Sequence, residues 1–168
     1  MTDEVSTSPV SATPDRAAIR AQLEQTGKGY HDLLNSLTAE DWKRRSGNSA
    51  WSVGQLMWHL AWGAGYFPRA IEQCRKGKAS NPPPWIMHPA NVLITRIGAR
   101  KATPQTVAEK YDVAHAAILA CLDGVKDDEW SKGVRSFGRY NTIESAFQRL
   151  RDHFEEHEAD IRKGLGRA

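Results

Sequence analysis

The sequence predicts an all-α fold: a four-helix bundle made of two helical hairpins, with a long crossover between the second and third helices. Three observations predict it. Apolar residues recur at a helical spacing in four separate stretches. Each stretch opens on a hydroxyl residue that can cap a helix. No run combines β-branched residues with strict alternation, so no strand is expected.

Residues 1–12 are rich in Ser, Thr and Pro and poor in large apolar side chains, which predicts a disordered N-terminal tail ahead of one bundle domain over 13–168. Thr13-Pro14-Asp15 opens the first helix with a capping hydroxyl, a proline at the first helical position and an acid. Its stripe runs through Ile19, Leu23, Tyr30, Leu33 and Leu37. The polar stretch 38–51 connects it to the second helix. There Ser52 is the cap and Gln55 stands at the capping-box position. Val53, Leu56, Leu60, Phe67 and Ile71 form this second stripe, and Pro68 inside it predicts a kink or a shortened helix. Gly63 and Gly65 weaken the same turn.

Residues 77–103 contain Pro82, Pro83, Pro84 and Pro89, so only a short helix at about 90–97 is expected in this crossover. Thr103-Pro104 opens the third helix, with Val107, Tyr111, Ala114, Ile118 and Leu122 as its stripe and Gly124 as its stop. A second polar connection covers 125–140. Thr142 caps the fourth helix, whose stripe is Ile143, Phe147, Leu150, Phe154, His157 and Ile161, with Gly164 at its end. Glu40-Asp41-Trp42 ahead of the second helix is echoed by Asp128-Glu129-Trp130 ahead of the fourth. Trp42 and Trp130 are expected to plug the ends of the bundle.

Composition sets outer limits on function. The 168 residues are 40% apolar and 26% charged, with a net charge of +3, a globular balance without a nucleic-acid footprint. The short basic clusters at Lys43-Arg44-Arg45 and Arg75 to Lys78 read as solvated helix ends. No stretch reaches the ~18–20 apolar residues of a membrane span. Asp3 and Glu4, without an apolar segment behind them, argue against a signal peptide, so a cytoplasmic location is expected. Cys74 and Cys121 are too few and too far apart for a disulfide framework and read as buried reduced thiols.

The chemistry-bearing motif is His153-Phe154-Glu155-Glu156-His157. Residues four apart on a helix point the same way, so two imidazoles can converge on one ion. His157 falls in the apolar stripe and His153 follows Leu150 by three. Buried imidazoles need partners for both nitrogens, and a metal supplies one. His59 follows Leu56 by three on the second helix, flanked by Trp58 and Trp62, which could border a ligand pocket. Trp85 in the crossover is either a lid or a packed surface residue. Asp152, Glu156 and Asp160 are candidates to orient a ligand histidine, against the plainer reading of a solvated face. His115 reads as a partly buried structural residue, and His31 and His88 as solvent-facing. Asp112-Val113-Ala114-His115 raises a di-iron alternative, but that site needs a second such motif and two further glutamates. Cys74 lies roughly 22 Å beyond His59 along a straight helix at ~1.5 Å per residue, too far to be a ligand.

The run Trp51-Ser52-Val53-Gly54-Gln55-Leu56-Met57-Trp58-His59-Leu60 resembles the second-helix motif of the DinB/YfiT-like superfamily, and His153 to His157 resembles its fourth-helix pair. The resemblance covers about residues 14–163. It implies a bundle in up-down-down-up order that holds a divalent metal ion, zinc or nickel, on His59, His153 and His157. It also implies a homodimer, a small-molecule substrate, and activity either as a metal-dependent hydrolase or as an S-transferase or isomerase using a low-molecular-weight thiol. The stretch Gly63 to Pro68 departs from the good helix formers expected there, which reshapes the pocket wall beside His59. Three neutral histidines leave one position of a four-coordinate ion open for a thiol or water. No catalytic acid or base is assigned. A non-catalytic metal- or small-molecule-binding module associated with stress, and a structural bundle with empty histidines, stay open as alternatives.

Overall fold

A computed structural model describes residues 13–79, 82–136 and 138–167. The expected tail, residues 1–12, lies outside the described residues. The fold is mostly helical: α1 (Arg16–Asn35), α2 (Val53–Ala64), α3 (Phe67–Lys76), α4 (Pro84–Gly98), α5 (Pro104–Asp123) and α6 (Ile143–Leu165). It is not purely helical. Two short strands, β1 (Gly133–Ser136) and β2 (Arg139–Thr142), pair antiparallel with Ser136 opposite Arg139. The expectation of no strands fails here because four-residue strands with only Val134 buried carry no readable alternation. Gly138, at φ 78°, supplies the left-handed residue of the reversal between them.

Helix starts follow side-chain chemistry closely. The Ser52–Gln55 capping box opens α2, and Thr103 and Thr142 cap α5 and α6. At α1 the cap is Asp15, not Thr13: its carboxylate accepts from the N–H groups of Ala17 and Ala18, and the helix begins two residues later than the proline suggested.

The second apolar stripe is divided between two helices rather than carried by one kinked helix. The Gly65 and Tyr66 N–H groups bond to the carbonyls of Trp62 and Gly63, three residues back, which tightens and ends α2. Pro68 then falls in the first turn of α3, where its missing N–H costs nothing. The crossover helix is also longer than its prolines suggested, with α4 running from Pro84 to Gly98 instead of 90–97. Pro84 takes the first helical position, and Pro89 sits on an exposed flank where water can satisfy the carbonyl it frees. Gly164 does not end α6. It lies inside the helix, where a Cβ would come within 2.4 Å of the Arg45 carbonyl oxygen, and Gly166 at φ 68° is the cap.

One core joins these elements. α1 packs on α5 and α6; α2 packs on α4, α5 and α6; α3 packs on α5, α6 and the hairpin. Leu23, Leu56, Val107, Ile118, Phe147 and Ile161 are fully buried between them. Trp130 is buried under the Arg16 guanidinium, and Trp42 is partly buried against the core. Cys74 is buried and Cys121 partly exposed, both as free thiols. Among the described residues, no helix is long and apolar enough to cross a membrane.

Candidate metal centre

The capping box that starts α2 and the apolar stripe that buries it turn His59 inward, leaving it 5% exposed. On α6, His153 and His157 stand one turn apart with ring centroids 4.8 Å from each other and each 5.1 Å from that of His59. One nitrogen from each of the three rings lies within 4.8 Å of the other two. The structure therefore brings together all three histidines singled out from the sequence.

The outer nitrogens are occupied in a way that aims the inner ones. His59 Nδ1 is 3.2 Å from the hydroxyl of Thr95, a fully buried residue of α4. His157 Nδ1 is 3.1 Å from Asp160 Oδ2. The Nε2 atoms of His59 and His153 face one another at 3.2 Å. A tetrahedral ion bonded at ~2.0–2.1 Å holds its nitrogens about 3.3 Å apart, the spacing that His59 and His153 already have, with a His157 nitrogen within 4.8 Å of both. Trp51 stacks on His59 at 4.6 Å and fixes the plane of its ring.

Burial keeps the His59 and His153 rings neutral, the form that can ligate. It pushes His59 down to about 4, helped by His157, and His153 down to about 2, helped by His157, His59 and Arg149. Gly63 makes the approach of His153 possible: a Cβ there would stand 3.1 Å from His153 Cε1. The glycine that weakens the end of α2 thus makes room for an imidazole.

A cavity of about 570 Å³ opens over His59 and His153, walled by α2, α3, α4, α6 and the hairpin. Trp62 lines it, whereas Trp58 stacks behind Trp62 at 5.8 Å. Trp85 is 75% exposed and does not cover it. His88, expected to face solvent, lies at the cavity rim. His31 is half-exposed and pairs with Asp112 at 2.7 Å, and His115 bonds to the Leu23 carbonyl at 2.8 Å. The di-iron alternative is thereby left without its ligands, since both members of its motif have other partners. Asp152 pairs with Arg151 and Glu156 with Arg149, so of the three candidate acids Asp160 is the one that meets a ligand histidine.

Sequence reasoning missed Thr95, Cys74 and Arg139. The distance along the helix argues against Cys74 as a ligand, but α3 carries Cys74 into the wall of the same cavity. Burial pushes its pKa up, so it stays protonated, and it donates to the Asn141 carbonyl at 3.3 Å. The one signal available was the pairing of Pro68 with Gly63 and Gly65.

Residues 22–161 match the family described as the DinB superfamily. The fold is similar to the crystal structure of the mycothiol-dependent maleylpyruvate isomerase, with a TM-score of 0.71 at 13% identity, covering 88% of this chain and 61% of that one. A histidine-to-alanine mutant of that enzyme gives the same TM-score of 0.71 at 14% identity and the same coverage, 88% and 61%. The chain thus spans about 61% of the length of the structures it matches. No curated protein matches it.

Proposed function

The chain belongs to the DinB superfamily, and from that premise we propose that it is a metal-dependent enzyme acting on a small molecule, with His59, His153 and His157 as ligands of a zinc or nickel ion. The observation that carries this reading is the convergence of three imidazoles, two of them buried, with His59 and His153 lining a cavity. Bound there with one position open, such an ion lowers the pKa of a thiol or water and supplies a nucleophile near neutral pH. The protein's own residues do the rest. Thr95 and Asp160 fix the tautomers and ring orientations of His59 and His157. Trp51 and Trp62 pack around the His59 ring, which limits water there.

Likeness to an isomerase named for its thiol supports a low-molecular-weight thiol over water, and hence an S-transferase or isomerase over a hydrolase. On the same reading α1, α2, α5 and α6 are the bundle in up-down-down-up order, with α3 and α4 as the crossover. The exposed apolar residues of α4, Trp85, Leu93 and Ile97, support a homodimer. A cytoplasmic location without nucleic-acid partners completes the proposal. Metal analysis of protein purified without a histidine tag, followed by a turnover screen against small thiols and esters, tests it. About one equivalent of zinc or nickel is expected, and less than about a tenth overturns it.

One observation favours a second reading, a binding module without efficient chemistry: among the described residues no Asp or Glu lines the cavity to serve as a carboxylate base. Metal-loaded protein that binds ligands without turnover would establish that reading instead.

A further inference from the structure

We propose that Arg139 of the hairpin and Arg149 of α6 form a carboxylate-recognition site on the cavity wall, so that the ligand reaching the metal carries a carboxylate at its other end. This rests on the metal reading above and adds the chemical class of the ligand.

Charge in the cavity is one-sided. Among the described residues its lining holds two arginines and no aspartate, glutamate or lysine. Several arginines outside the cavity have partners: Arg75 pairs with Glu129, Arg96 donates to the Ala50 carbonyl, and Arg167 meets Asp41. The Arg139 guanidinium has none among the described residues. Arg149 has one long contact, 3.5 Å to Glu156, which a ligand oxygen can replace at little cost. The position of Arg139 is nevertheless fixed. The Asn141 side-chain amide donates to the carbonyls of Ser136 and Arg139 and braces the hairpin end. The hairpin in turn packs on α3 and α6.

The opposite wall supplies a second element of recognition. Asn91 Oδ1, on α4, is buried in the lining and has no hydrogen-bond partner. It is placed to accept from an N–H or O–H of a ligand. The lining also has an apolar part, with Phe67, Met87 and Val134. A planar guanidinium fork matches a carboxylate in geometry and charge, and two forks without lysine suit a singly charged head group on a short carbon chain.

The test compares three thiols of similar size on cobalt-loaded protein: 3-mercaptopropionate, 3-mercaptopropionamide and 2-aminoethanethiol, followed through the visible cobalt spectrum. The acid should bind at least about tenfold tighter than the amide, the scale of a hydrogen bond to a charged group, with the amine weakest. Arg139→Gln and Arg149→Gln should each weaken binding of the acid more than that of the amide, and Arg139→Lys should restore part of the preference. Equal binding of acid and amide, or a preference unchanged in both glutamine variants, overturns the proposal. If no thiol perturbs the spectrum, the thiol reading fails separately. Calorimetry of succinate against succinamide then decides the carboxylate site, and equal or absent binding of the two overturns it.

Discussion

The Nε2 atoms of His59 and His153 face each other at 3.2 Å, although 94 positions separate these residues in the chain. Two neutral imidazoles at that distance can share one proton and still leave a lone pair unused. With His157 one turn away on α6, the three rings are grouped so that they could hold a metal ion, as proposed above.

Removing a ligand should therefore remove the metal and spare the fold. His153→Ala or His157→Ala is expected to leave less than about a tenth of an equivalent of bound metal, because two ligands do not hold such an ion tightly. Far-ultraviolet circular dichroism should stay close to that of the parent protein. Stoichiometric metal in either variant would mean that the ligands are misassigned.

Gly63→Ala should move stability and metal affinity in different directions. Alanine gains about 1 kcal/mol of helix propensity over glycine. Its Cβ, however, stands 3.1 Å from His153 Cε1 and forces the ring to yield by a few tenths of an ångström. The metal-free variant should melt at or above the parent temperature, while metal affinity falls by about tenfold, at the lower end of disturbances to a ligand's surroundings. Calorimetric melting and a competitive chelator titration measure the two effects.

Thr95 is a positioning residue for His59. Thr95→Val keeps the shape of a fully buried side chain and deletes the hydroxyl that faces Nδ1. Metal affinity should fall about 10- to 100-fold, the usual cost of losing such a partner, and Thr95→Ser should recover most of it. Asp160→Asn should cost less, since the amide oxygen can still accept from His157 and Asp160 is partly solvated. Equal metal affinity in Thr95→Val and the parent protein would remove Thr95 from the site.

Acid should destabilise the metal-free protein. Both His59 and His153 are pushed below the ordinary histidine value of 6.5, to about 4 and about 2. The unfolded chain then binds more protons than the folded one between those values and 6.5, so stability rises with pH across that window. It is fully present above about 6.5 and is lost as the pH falls; for His59 the loss is on the order of 3 kcal/mol by about pH 4. Urea midpoints measured from pH 7 to pH 4 should show this slope, and the double variant His59→Gln/His153→Gln should flatten it. An equally steep slope in the double variant would assign the effect to other groups.

The sequence by itself determined which way each helix faces and where most helices begin. Capping at Ser52, Thr103 and Thr142 is local chemistry between residues three apart, and the apolar stripes fix the buried side of each helix. Those two facts turn His59 and His157 inward, and the turn repeat of α6 carries His153 beside His157. The tertiary structure alone decided what meets the three rings. Thr95 reaches His59 because α4 packs on α2, and Cys74 enters the cavity wall because α3 packs against α6 and the hairpin. Arg139 joins them because a strand pair too short for any periodic pattern packs against α3 and α6. Local periodicity encodes a side chain's direction relative to its own axis. Which axes cross, and at what residue, depends on chain reversals and on packing between segments far apart in sequence.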